Sequence, residues 1–149
     1  MGYFVTELNA SMLRGSDDGE GVKWILQSPL VYQSDTLGTV IVPVGFVTNF
    51  VSMRRIPLMY SLFANLAQEP ATLHDYLYSP QGRLPSGKQY TRADADESFR
   101  GAAYQDMAGT FDDKSSFLAV RASFKALLKS WAMWAALRIF GGSHWERNQ

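Results

Sequence analysis

The stretch 38-GTVIVPVGFVTNFVS-52 decides the fold class. Val40, Ile41, Val42, Val44, Phe46 and Val47 crowd β-branched and aromatic side chains into one short run, the composition that fits a pleated, half-buried surface. Pro43 and Gly45 interrupt it. A proline has no N–H to give to a ladder, so that point belongs at an edge or a bulge. Upstream, 22-VKWILQSPLVYQSD-35 repeats the pattern, split at Ser28-Pro29 and preceded by a turn at Asp17, Asp18, Gly19 and Gly21. Two or three antiparallel strands between about residues 3 and 52 are predicted.

From Pro57 the periodicity becomes helical. The segment 57-PLMYSLFANLAQE-69 places Leu58, Leu62, Phe63 and Leu66 on one face, with Pro57 in the first turn. Pro70 is expected to stop that helix and open the next, 71-ATLHDYLY-78. The stretch 79-SPQGRLPSGKQ-89 is rich in proline and glycine and reads as a loop. Thr91, with Asp94 three residues on, makes a capping-box pattern for a helix over 92–109 that ends at Gly109. A last helix begins near Ser115 or Ser116. It aligns Phe117, Val120, Phe124, Leu127, Trp131 and Trp134 in a narrow apolar seam, and Gly141-Gly142 ends it. The expected architecture is a single α+β domain over 1–149: a small antiparallel sheet from the N-terminal half, packed against three to four helices over about 57–140.

Composition narrows the function classes. The chain has 149 residues, 46% apolar and 19% charged, enough to bury a core. Fourteen basic residues balance fourteen acidic ones, so there is no basic surplus for non-specific grip on nucleic acid. With no cysteine, disulfides, thiolate metal sites and thiol nucleophiles drop out. The opening MGYFVTELN lacks the basic start and apolar core of a secretory signal. The longest apolar run, 126-ALLKSWAMWAALRIF-140, is interrupted by Lys129 and Arg138 and falls short of the roughly 20 residues that span a bilayer.

Polar residues set among apolar neighbours mark the candidate site. His74 and Asp75 lie between Leu73 and Leu77, in a helix expected to be mostly buried. As sequence neighbours on a helix they point about 100° apart. Asp96 lies three residues before Phe99 and so shares an inward face, where a carboxylate needs a partner: His74, Arg55, Arg92 or a divalent metal. Asn49 and Arg55 flank the strand-to-helix junction 47-VTNFVSMRRIP-57, a place where binding residues are often presented. The plainer reading is a satisfied polar network that joins the helices to the strands. There is no H-x-x-x-H or H-E-x-x-H pair, no G-x-S-x-G elbow and no phosphate-cradling glycine loop.

Three stretches in order, VPVGFVTNFVSMRRIP (42–57), LHDYLY (73–78) and RADADESF (92–99), resemble the family called domain of unknown function 1353, small proteins of bacteriophages and prophages. Its pattern runs VP-x-GF-x-TDFAS-x-PR, then HD-x-LY, then R-x-x-AD-x-x-F. Gly45, Phe46, Thr48, Phe50, Ser52, Arg55, His74, Asp75, Leu77, Tyr78, Arg92, Ala95, Asp96 and Phe99 fit it. Asn49 stands where the family has aspartate, and Arg54 where it has proline. Asparagine accepts a hydrogen bond but takes no proton at neutral pH.

The resemblance implies a phage origin, with the virion or the host cytoplasm as location and other phage proteins or a second copy as partners. Two functions are weighed. One is a virion-associated structural or interaction protein of tail, neck or baseplate type. The other is a small metal-assisted hydrolase in which His74, Asp75 and Asp96 hold a divalent ion and Arg55 stabilises a developing anion, Asn49 completing the set. In either case Asn49, Arg55, His74, Asp75 and Asp96 are expected to converge.

Overall fold

The computed structural model describes residues 2–15, 22–50, 68–84, 87–108 and 117–140. Among these residues six strands come first: β1 (Gly2–Phe4), β2 (Ala10–Met12), β3 (Trp24–Leu26), β4 (Leu30–Ser34), β5 (Gly38–Val42) and β6 (Val47–Thr48). Three helices follow among the described residues, α1 (Gln68–Tyr78), α2 (Arg92–Ala108) and α3 (Phe117–Phe140). This is the expected α+β arrangement, built from two small antiparallel sheets of three strands each, ordered β1-β4-β5 and β2-β3-β6.

The two sheets share one layout. In each, a central strand (β4 or β3) is flanked on one side by the β1–β2 segment and on the other by the β5–β6 segment. Pro29 and Pro43 sit in the two gaps between the halves, where the ladder cannot continue without their N–H groups. Backbone bonds on either side carry the pairing up to the break: Val5 N–H to Val31 O at 2.8 Å, Gln27 N–H to Asn9 O at 2.8 Å and Leu26 N–H to Phe46 O at 3.0 Å. The β4–β5 hairpin closes over Asp35, Thr36 and Leu37. Gly38 takes φ 73°, and Ser34 Oγ accepts the Thr36 and Leu37 N–H groups at 3.3 and 3.2 Å. A left-handed residue after a three-residue loop matches the strand twist.

Alternation along β4 and β5 sends Leu30, Tyr32, Val40 and Val42 inward. With Leu26 and Phe46 they meet Leu73, Leu77 and Tyr78 of α1 and Ala95 and Ala102 of α2. A second cluster lies among the helices: Ala71, Phe99, Ala103, Met133 and Leu137. At the α2–α3 contact, Phe99 and Ala103 of α2 meet Met133 and Leu137 of α3, large side chains set beside a small one.

Two sequence expectations change. Pro70 does not break a helix: Gln68, Glu69 and Pro70 are continuous with 71–78 in α1. A proline in a first turn sacrifices nothing, because the first N–H groups of a helix have no partner inside it. The remainder of the helix expected over 57–69 lies outside the described residues. On α3, the buried stripe is Ala126, Ser130, Met133 and Leu137 rather than the aromatic seam. Trp131 is 47% exposed, with the Arg100 guanidinium 4.5 Å from its ring centre. The flexible and branched side chains Met133 and Leu137 take the interface with Phe99 and Ala103, and the indole is left at its margin. The side chains of Phe117, Val120 and Phe124 lie outside the described ones.

The capping box appears as expected. Thr91 Oγ1 accepts Asp94 N–H at 3.2 Å, and Asp94 Oδ2 accepts Thr91 N–H at 2.9 Å. At the far end of α2, burial and the negative charge of Glu69 push the Asp106 carboxyl up to about 6. Glu69 is itself engaged, accepting Leu8 N–H at 2.8 Å. The folded state therefore holds the Asp106 proton more tightly than the unfolded chain. Stability falls as pH rises through about 4 to 6, and the ionised carboxylate is a net cost above that window. Asp106→Asn should raise stability at pH 7 by on the order of 1 kcal/mol after solvent screening, about 2–4 °C in Tm, and by nothing at pH 4. Thermal melts of both proteins at the two pH values check this.

Candidate functional site

The site is assembled by helical periodicity on two helices and one side chain from a third. On α1, His74 and Tyr78 are four residues apart and stack, with ring centres 4.1 Å apart. On α2, Asp96 and Phe99 share the inward face, and the Phe99 ring meets the His74 ring edge-on at 5.5 Å. Asp96 is wholly buried and His74 is 1% exposed. Asp96 Oδ1 accepts His74 Nε2–H at 3.1 Å and the Tyr78 hydroxyl at 2.7 Å. Asp96 Oδ2 accepts Arg138 Nη1–H at 3.2 Å, and Arg92 Nε lies 3.6 Å away as an ion-pair contact.

The two arginines make a reciprocal clamp. Arg138 reaches from the last turn of α3 to the α2 carboxylate. Arg92, at the start of α2, sends Nη2–H back to the carbonyls of Leu137 and Arg138 at 3.0 and 2.7 Å. Those are terminal carbonyls of a helix, which lack partners within it and carry its negative dipole end, so a guanidinium there satisfies both needs.

Burial alone would push the Asp96 carboxyl up. The hydrogen bonds from His74 and Tyr78, the charge of His74 and the bond from Arg138 outweigh it, and the carboxyl sits below its ordinary value. Tyr78 is pushed in the opposite direction, first by burial and then by its bond to the Asp96 carboxylate. Asp96 is therefore the anion at the centre: His74, Tyr78 and Arg138 donate to it and Arg92 pairs its charge.

Asp75 goes elsewhere. Its Oδ2 accepts the Thr48 hydroxyl of β6 at 2.6 Å, and the same Thr48 oxygen accepts the Phe50 N–H at 3.3 Å. Phe50 holds φ 54°, a left-handed conformation that a bulky side chain rarely adopts. The consecutive residues His74 and Asp75 thus tie α1 in two directions, one to the helices and one to the sheet.

Measured against the sequence expectation, His74 and Asp96 meet, and Arg92 is among the partners foreseen for Asp96. Asp75 does not share their carboxylate. Asn49 is half-buried and follows Thr48 in the chain. Arg55 lies outside the described residues. Tyr78 and Arg138 were not foreseen as members. Tyr78 was legible as the residue one helical turn after His74; Arg138 had no local signal, since 42 residues separate it from Asp96. Among the described residues no group of three histidine, aspartate or glutamate side chains is arranged to hold a metal ion.

A family model described as "Protein of unknown function (DUF1353)" matches residues 24–120. The chain belongs to the DUF1353 family. The matched span covers β3 to the first residues of α3, and so contains His74, Asp75, Tyr78, Arg92 and Asp96; Arg138 lies beyond it. In this DUF1353 protein the clamp on α3 therefore draws one of its two arginines from outside the family segment. No curated protein and no solved structure matches the chain.

Removing one member of a buried charged network leaves the others unpaired, which costs roughly 3–5 kcal/mol. Asp96→Asn should lower Tm by on the order of 10 °C. Tyr78→Phe, which deletes one bond to a charged acceptor, should cost about 1.5–3 kcal/mol. Because the Asp96 carboxyl is held low, its contribution is complete above the unfolded value and vanishes as pH falls through the lower folded one. Denaturant titrations at pH 7 and below pH 3 should show the wild-type advantage over Asp96→Asn at the first and its disappearance at the second.

Proposed function

We propose that this DUF1353 protein is a bacteriophage structural or interaction protein, virion-associated in the manner of a tail, neck or baseplate component, whose buried polar network holds the fold. The observation that carries the structural reading is the state of Asp96. Its carboxylate is wholly buried, and both oxygens are occupied by side chains of the same chain. A carboxylate has about four lone-pair positions; His74, Tyr78 and Arg138 fill three of them, and the Arg92 guanidinium lies 3.6 Å away as an ion pair. The phage assignment is supported by the resemblance of the three ordered motifs to proteins of phages and prophages.

The competing reading, a metal-assisted hydrolase on His74, Asp75 and Asp96, asks these groups to turn toward one ion. His74 and Asp96 are bonded to each other at 3.1 Å, and Asp75, about 100° round α1 from His74, is bonded to Thr48 at 2.6 Å. Adopting a shared ligand geometry would break both contacts. The asparagine at 49, where the family has aspartate, also removes a proton acceptor.

Calorimetric titration of the purified protein with Zn²⁺, Mn²⁺ and Mg²⁺ separates the two. No binding dependent on these residues is expected. A site that disappears in both His74→Ala and Asp75→Asn, while each variant still melts cooperatively, would establish the hydrolase reading instead. Mass spectrometry of purified virions tests the other half: the chain should be present at stoichiometric levels, and its absence from virions overturns the virion assignment.

A further inference from the structure

We draw no further inference here: the strongest candidate, the outward face of α3 where Leu128, Trp131 and Ile139 are exposed, is an apolar patch for which nothing in the structure shows what covers it.

Discussion

A single carboxylate organises the helical half of this protein. Asp96 is taken out of water by α2, and a buried anion is tolerable only where donors replace the lost hydration. The donors are His74 and Tyr78 on α1 and Arg138 on α3, and Arg92 on α2 adds its charge as an ion pair at 3.6 Å. Because each must point at the same two oxygens, the rotation of α1 about its axis and the placement of the last turn of α3 are tightly constrained. Apolar packing among Ala71, Phe99, Ala103, Met133 and Leu137 brings these helices together without specifying that register. The polar network adds the specification.

The sheet is joined to this assembly through the neighbouring residue. Asp75 leaves α1 about 100° from His74 and bonds Thr48, which is 2% exposed. One helical turn of α1 therefore carries the polar connections to both halves of the molecule. The strained Phe50 follows two residues after Thr48, with its N–H held by the Thr48 hydroxyl. Strain of this kind persists only where surrounding bonds impose it. The Asp75–Thr48–Phe50 chain of contacts is such an imposition.

Much of this was legible in linear order. The β-branched run around residue 40 and the change of periodicity beyond Pro57 correctly separate sheet from helices. The Thr91–Asp94 box correctly starts α2, because capping is local chemistry between residues three apart. The inward placement of Asp96 follows from its spacing to Phe99. Failures cluster where a choice depends on something distant. Pro70 looks like a stop in a propensity reading, yet a first-turn position makes it harmless. The α3 seam was assigned to a stripe with aromatic residues, whereas packing buries the stripe Ala126, Ser130, Met133 and Leu137, whose Met133 and Leu137 meet Phe99 and Ala103 of α2.

The sequence by itself determined the element types, the start of α2, and the divergence of His74 from Asp75, since each depends on backbone periodicity or on residues within one turn. Tertiary structure alone decided which groups meet. Arg138 reaches Asp96 across 42 residues of chain, and Arg92 finds the carbonyls of Leu137 and Arg138 across 45 and 46. No local pattern encodes such pairs. They are chosen when burial strips water from a charge and leaves it only the donors that the packed helices bring within reach.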